Sequence, residues 1–171
     1  MNWITKLAPK IKSILGGKKS LKVADNSWVK CSQCQTMLYS DDLEKNYYVC
    51  PNCDLHLYIH PRTRMKNLFD EGIYEEIPYP TVQLDPLNFK DTNSYKEKFK
   101  EAQAKTEMQD AFLIGYGKMK GISTTVVAMN FKFMGGSLSS AGAEAMVKAA
   151  EHAIAYNLSL IHISEPTRRR G

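Results

Sequence analysis

The chain has 171 residues, of which 43% are hydrophobic, 24% charged and 10% aromatic. This composition is typical of globular proteins and argues against the collagenous and low-complexity classes. No apolar run approaches the roughly 18 residues of a membrane-spanning helix, and no apolar signal-peptide region follows the N-terminal lysines. We therefore expect neither a secreted nor an integral membrane protein.

The net charge of +5 is concentrated at the two ends of the chain. Residues 1–22 carry six lysines and no acid, and residues 158–171 carry a net charge of +2. The remaining residues, 23–157, have a net charge of −3. A nucleic-acid-binding domain usually carries its basic residues on the folded part, so the total charge does not by itself indicate such a domain.

The first three segments of the chain differ in pattern. In residues 1–22, apolar side chains at helical spacing among lysines predict a basic amphipathic arm that packs on its own protein or on a partner subunit, in preference to membrane or RNA binding. Residues 23–60 contain all four cysteines and short strand-like pieces at 29, 37–39, 47–49 and 55–59. Residues 61–110 predict a helical connection. Its first helix begins at Pro61 and stops at Gly72, and its second is capped by Asp91 or Thr92.

The last two segments predict an α/β layer and an atypical tail. Residues 111–157 contain an alternating segment, a turn at 118–121 and a β-branched segment, which predict a hairpin followed by an alanine-rich helix over 139–156. If residues 158–163 form a further strand, that helix is a crossover in an α/β layer. Residues 158–171 resemble a translated sequencing adapter, so we expect the true reading frame to end near Asn157 or Leu158.

The cysteines follow the pattern C-x2-C-x15-C-x2-C, which is the spacing of a four-cysteine zinc site. Each C-x2-C forms a tight turn that presents two sulfurs, and a hairpin of this length brings two such turns around one tetrahedral ion. Four thiolates close the coordination shell, which predicts a structural site. Iron in the same sulfur cage remains an alternative. The predicted ligands are Cys31, Cys34, Cys50 and Cys53.

Disulfides, histidine ligands and nucleic-acid binding are weaker interpretations of this module. Disulfides need an oxidising compartment, and His56 and His60 are not needed once four cysteines complete the shell. His152 and His162 have no partner that the sequence identifies. A zinc ribbon is also a common nucleic-acid module, so RNA or DNA binding remains the alternative function. That function would rest on a basic patch with one aromatic residue: Lys18, Lys19, Tyr58, Arg62, Arg64 and Lys66.

A glycine turn lies between the predicted hairpin and the alanine-rich helix. Gly135 and Gly136 allow a ligand to approach the backbone, and the following helix directs free N–H groups and the positive end of its dipole toward that point. Such a turn suits a phosphate or a developing oxyanion, although two glycines before a helix are more often only a tight connection.

Several of these motifs, in this order, resemble the bacterial acetyl-CoA carboxylase carboxyltransferase β subunits. The resemblance begins with Asn2-Trp3-Ile4 and extends to about Asn157. Its most specific part is the combination of the cysteine block with the Phe-Met-Gly-Gly-Ser loop. The segments that carry it include residues 28–31, 38–39, 43–46, 49–54, 70–72 and 131–137.

The resemblance implies a cytoplasmic subunit with an N-terminal zinc ribbon and a crotonase-like domain of β-β-α units. It also implies an α2β2 assembly with an α subunit, joined by biotin carboxylase and the biotin carboxyl carrier protein in a complex that binds ATP. The implied reaction moves a carboxyl group from carboxybiotin to acetyl-CoA and forms malonyl-CoA for fatty-acid synthesis. The implied acyl-CoA-binding residues are Gly135, Gly136 and Ser137, and no catalytic residue is identified.

The chain departs from this family after its alanine-rich helix. Family members continue into a second glycine-rich loop and further β-β-α units, whereas this sequence reads Leu158-Ser159-Leu160 and stops at Gly171. An incomplete domain would expose strand edges and apolar surface. We therefore expect the zinc module to fold in isolation, and the 171-residue chain to form no malonyl-CoA even when it is mixed with an α subunit.

Overall fold

A computed structural model describes residues 27–164. The chain divides into two compact units between Leu57 and Tyr58. The predicted N-terminal arm, with Lys18 and Lys19, and the last seven residues lie outside the described part. The two units are therefore considered separately, each from its own contacts.

The first unit is small and built around the cysteines. Strands β1 (Trp28–Lys30) and β2 (Met37–Tyr39) pair antiparallel, and helix α1 (Ser40–Lys45) follows directly. The strand pieces predicted at 47–49 and 55–59 are not strands. An isolated bridge between Val49 and His56 takes their place, because two consecutive left-handed residues at 47 and 48 interrupt the extended backbone.

The second unit begins with helix α2, Pro61–Leu68. Its predicted first residue, Pro61, is confirmed, and the imidazole of His60 accepts a hydrogen bond from the Arg62 amide at the helix start. The predicted stop at Gly72 is wrong by one turn. The helix ends at Leu68, because Phe69 is extended, and a single 3-10 turn then spans Asp70–Gly72.

Helix α3 spans Tyr95–Thr106, and its cap differs from the predicted Asp91 or Thr92. Ser94 is the N-cap. Its hydroxyl accepts from the Glu97 amide, and the Glu97 carboxylate accepts from the Ser94 amide. This reciprocal pair satisfies two backbone donors at once. Asp91 instead forms a 3.1 Å ion pair with Lys98.

A four-stranded sheet forms the body of the second unit. Its strands are β3 (Tyr74–Glu76), β4 (Phe112–Met119), β5 (Ile122–Met129) and β6 (Ser159–Ile163), in spatial order β3-β4-β5-β6. The first two pairs are antiparallel and β5 pairs parallel with β6. The predicted hairpin is confirmed, and so is a strand after the alanine-rich helix.

Helix α4 (Ser140–Ala155) is the crossover that joins the parallel strands β5 and β6. Its buried face consists of small residues, which let the helix backbone approach the sheet closely. These residues are Gly142, Ala145, Ala149 and Ala153. Among the described residues, the largest fully buried side chain is Phe133, which lies 5.3 Å from Phe99 in an edge-to-face pair.

These elements form a mixed α/β fold, and the four-cysteine module is N-terminal in the chain, as the sequence predicts. A search of residues 27–164 finds no helix with the length and apolar content needed to cross a membrane.

Candidate metal centre and glycine turn

The two C-x2-C segments adopt the same backbone geometry. The Gln35 amide donates to the Cys31 carbonyl at 3.0 Å, and the Asp54 amide donates to the Cys50 carbonyl at 2.9 Å. Gln35 and Asp54 both have left-handed backbones, with φ of 63° and 57°. A second pair of bonds closes each turn: Cys31 N to Thr36 O at 2.9 Å and Cys50 N to Leu55 O at 2.8 Å. The chain therefore presents two equivalent cysteine knuckles.

The four sulfurs converge on one point. All of them lie within 4.8 Å of one another, and the Cys31–Cys53 and Cys34–Cys50 sulfur pairs are each 3.6 Å apart. A tetrahedral zinc ion with Zn–S bonds of about 2.3 Å separates its sulfurs by about 3.8 Å. Disulfide sulfurs are about 2 Å apart, and all four cysteines are free thiols. The donor set therefore fits one tetrahedral metal ion and not two disulfides.

The thiols differ in how readily they ionise. Cys34 Sγ lies 3.3 Å from the Thr36 hydroxyl, to which the Asn52 amide also donates, and hydrogen bonds from the side chains of Thr36 and Asn52 lower the pKa of Cys34 to about 5. The Leu55 amide lowers the pKa of Cys53, but burial and the neighbouring cysteine sulfurs outweigh it and raise that pKa to about 12. Four thiolates this close require a cation, because their mutual repulsion otherwise keeps part of the set protonated.

The two histidines near the cysteines lie outside the sulfur cluster. His56 is exposed. His60 Nδ1 accepts from the Arg62 amide, and its Nε2 lies 3.4 Å from the Thr106 carbonyl. Burial lowers the pKa of His60, which favours the neutral ring with its proton on Nε2. Both ring nitrogens of His60 are thus engaged within the second unit.

The glycine turn follows β5 and precedes α4. It forms one 3-10 turn over Met134–Gly136, in which Gly135 and Gly136 have φ of 68° and 71°. A Cβ on Gly136 would lie 2.9 Å from the Met129 side chain, whereas a Cβ on Gly135 would meet nothing within 4 Å. Gly135 and Ser137 are exposed. The three predicted acyl-CoA residues thus form an accessible turn before the start of α4.

Asp110 is a polar residue near this turn that the sequence did not identify. It is 1% exposed, and its carboxylate accepts from the Ala111 amide at 2.5 Å and from the Ser139 hydroxyl at 2.8 Å. Burial raises the pKa of its carboxyl. Ser139 lies 29 residues further along the chain, so no local pattern indicates the pair.

His152 also has a partner that the sequence did not identify. Its Nδ1 lies 3.0 Å from the hydroxyl of Thr125, which is fully buried in β5. The imidazole lies between the rings of Tyr116 and Tyr156, with both centroid distances 4.8 Å. This arrangement packs α4 on the sheet and contains no acid–base pair.

The basic patch of the alternative function is only partly available. Arg62 Nε binds the Glu76 carboxylate at 2.9 Å, and its terminal nitrogen donates to the Glu107 carbonyl at 3.1 Å. The Glu76 carboxylate is the main reason that the pKa of Arg62 is raised. The Tyr58 ring lies under the Lys132 ammonium at 4.1 Å. Arg62 and Tyr58 of the proposed basic patch are therefore engaged inside the second unit.

Two family models match consecutive parts of the chain. Residues 28–53 match the acetyl-CoA carboxylase zinc finger domain, and residues 81–167 match the carboxyl transferase domain. The first match supports a structural zinc on the four cysteines. It also favours the carboxyltransferase interpretation over the nucleic-acid alternative.

The curated relatives carry one name, acetyl-coenzyme A carboxylase carboxyl transferase subunit beta. The protein of Rhizobium meliloti (strain 1021) is 43% identical over 162 residues, which cover 94% of this chain and 52% of the relative. The protein of Sinorhizobium medicae (strain WSM419) gives the same identity and coverage. That of Beijerinckia indica is 41% identical over 155 residues, covering 90% of this chain and 52% of the relative.

The chain thus spans about half the length of the curated relatives that it matches. The resemblance predicted from the cysteine block and the Phe-Met-Gly-Gly-Ser loop is confirmed by these matches. Since the carboxyl transferase match alone covers half of the 171 residues, the chain belongs to the carboxyl transferase domain family, within the crotonase-like superfamily.

Proposed function

We propose that this chain acts as part of an acetyl-CoA carboxylase carboxyltransferase β subunit. The reaction is transfer of a carboxyl group from carboxybiotin, carried on a partner protein, to acetyl-CoA, which yields malonyl-CoA for fatty-acid synthesis. The observation that carries this proposal is the order of two matches in one chain, an acetyl-CoA carboxylase zinc finger followed by a carboxyl transferase domain. Neither match alone would specify both the reaction and the acyl substrate.

The metal has a structural role in this proposal. Cys31, Cys34, Cys50 and Cys53 provide four sulfur ligands, so a bound zinc keeps no open position for water or substrate. The ion supplies folding free energy and no chemical step. Its effect on the reaction is therefore indirect, through the folded first unit.

The glycine turn is the proposed contact with acyl-CoA. Gly135, Gly136 and Ser137 leave backbone accessible between β5 and α4, so a thioester or a phosphate can approach the peptide groups closely. The N-terminal end of α4 favours a negatively charged group there. Biotin, when bound to its carrier protein, supplies the carboxyl group. The residues of the turn bind and orient the acceptor.

The proposed partners are those of the whole enzyme. They are an α subunit in an α2β2 heterotetramer, a biotin carboxylase that uses ATP, and a biotin carboxyl carrier protein, all in the cytoplasm. The subunit name of the curated relatives supports a multi-subunit acetyl-CoA carboxylase, and the particular partners and the compartment are proposed from the family resemblance.

A chimera tests the proposal directly. Residues 28–157 would replace the corresponding segment of the Rhizobium meliloti β subunit, and the chimera would be co-expressed with its α subunit. We expect zinc-loaded heterotetramer that forms malonyl-CoA. A chimera that folds, binds zinc and assembles but transfers no carboxyl group would refute the proposal.

Two controls accompany the chimera. Cys50→Ser should remove zinc and assembly together, whereas His56→Ala should leave both unchanged, because His56 is exposed and is not a ligand in this assignment.

A further inference from the structure

Asp110 is buried without a compensating cation. It lies two residues before the first residue of β4 and is 1% exposed. No ion pair of the described residues includes it. Its carboxylate is stabilised by two donors, the Ala111 amide and the Ser139 hydroxyl. Burial of a carboxylate costs free energy, and the hydrogen bonds from these two donors offset part of that cost. One of the donors is a hydroxyl, which the carboxylate in turn orients.

Ser139 is the N-cap of α4. Its Oγ accepts from the Gly142 amide at 2.9 Å while its hydrogen points to Asp110 Oδ2. The carboxylate therefore fixes the rotation of the hydroxyl and directs its lone pair at the helix. Gly142 is seated against the Phe112 ring, since a Cβ on Gly142 would lie 2.8 Å from that ring. The first turn of α4 is thus held against the start of β4.

The same short stretch of chain also holds the other end of the glycine turn. The Asn130 amide donates to the Ala111 carbonyl at 2.6 Å. Residues 131–138 therefore lie between two hydrogen-bonded ends: Asn130 is bonded to Ala111, and Ser139 is bonded to Asp110. The distance between the two ends of this segment is set by two adjacent residues, which limits the conformations open to Gly135 and Gly136.

We propose that Asp110 is a positioning residue for acyl-CoA binding: through Ser139 it holds the start of α4 and so fixes the backbone of Gly135–Ser137. The substrate in this statement rests on the proposed function. Asp110 is not expected to contact the substrate, because it is buried and both of its oxygens have partners in the fold.

The test uses the zinc-loaded 171-residue chain and four variants. Asp110→Ala removes both acceptors, and Ser139→Ala removes the cap but leaves the carboxylate. Asp110→Asn removes the charge and keeps an oxygen for Ala111, but it places an N–H where the Ser139 hydroxyl needs an acceptor. Thr106→Val is the control for stability, because the buried Thr106 hydroxyl donates to the Ala102 carbonyl within α3 and to no residue of the turn.

Two quantities are measured on each variant: the dissociation constant for acetyl-CoA, by titration, and the exchange rates of the amides at 135–137 and 140–142, by NMR. The loss of an N-cap hydrogen bond corresponds to a change of about tenfold. We expect Asp110→Ala and Ser139→Ala to weaken binding and speed exchange by about that factor. Asp110→Asn should change both quantities in the same direction, because the Ser139 hydrogen loses its acceptor. Thr106→Val should change the melting temperature alone.

The outcomes separate this inference from the proposed function. Unchanged affinity and exchange in both Asp110→Ala and Ser139→Ala would overturn the positioning role. If Asp110→Ala does not fold, the affinities and amide exchange rates of Ser139→Ala and Asp110→Asn still test the positioning role. If the wild-type chain binds no acetyl-CoA, the acyl-CoA assignment fails at this turn. The exchange rates then show whether Asp110 holds the turn at all.

Discussion

Removing zinc should unfold residues 27–57 and leave the second unit folded. Among the described residues of the first unit, the buried hydrophobic cluster contains only Leu38 and Leu43 beside Cys31 and Cys50. At about 0.05–0.15 kcal/mol per residue, a folded segment of this length has a stability of about 2–5 kcal/mol. Structural zinc contributes about 10–16 kcal/mol in comparable sites. The binding free energy that is lost with zinc therefore exceeds the whole free energy of unfolding expected for residues 27–57.

Tryptophan fluorescence reports this event selectively. The chain has two tryptophans, Trp3 and Trp28, and the Trp28 ring lies 5.4 Å from that of Tyr39 across β1 and β2. In a Trp3→Phe background, a chelator should shift the Trp28 emission as zinc is released. The helical circular dichroism of α3 and α4 should remain. Release of all zinc with unchanged Trp28 emission and unchanged protease resistance of residues 27–57 would refute the reasoning.

Three further perturbations concern the second unit. Gly117→Ala should lower the free energy of unfolding, measured in urea, by about 1–3 kcal/mol, because the added Cβ would lie 2.8 Å from the Ile73 carbonyl oxygen. An unchanged urea midpoint would contradict this packing. Phe133→Ala should lower the free energy of unfolding by about 3–5 kcal/mol, because the Phe133 side chain is 2% exposed, and Phe133→Leu should lower it clearly less. Equal losses in the two variants would argue against a close fit around the ring. The Asp70 carboxylate accepts from the Gly121 and Lys120 amides, which lowers its pKa. The wild-type chain should therefore have a higher free energy of unfolding than Asp70→Asn above about pH 4. This difference should vanish as the pH falls through the lowered pKa of Asp70. Urea midpoints of both proteins at several pH values would check it.

The ligands of the metal centre are predictable from sequence because the information is local. Two cysteines three residues apart form a knuckle by backbone geometry alone, and the second knuckle repeats the first. The start of α2 at Pro61 and the small-residue face of α4 are local in the same sense, since proline restricts one backbone angle and helical periodicity places the alanines. In each case the signal lies within one turn or one element.

The errors have two different origins. The Ser94 cap of α3 was locally encoded, because a serine followed three residues later by Glu97 is the signature of a capping box. Asp91 and Thr92 are also of residue types that cap helices, but neither is followed three residues later by Glu or Gln. The partner of Asp110 could not be found in this way, since Ser139 is 29 residues distant and approaches only when α4 packs on β4. A lone aspartate before an apolar strand carries no local sign of that contact.

The two candidate sites also differ in how they stabilise left-handed backbone. Residues 27–57 of the first unit include four non-glycine residues in this conformation: Gln35, Tyr47, Tyr48 and Asp54. Each costs about 1 kcal/mol or more relative to an ordinary conformation, so together they consume most of the stability expected for so short a segment. Zinc binding must offset this cost, and the knuckles should relax when the metal leaves. In the glycine turn, Met134 carries the same cost with a φ of 46°, whereas Gly135 and Gly136 adopt this conformation at little cost. One such residue is offset by hydrogen bonds from the neighbouring strand and helix.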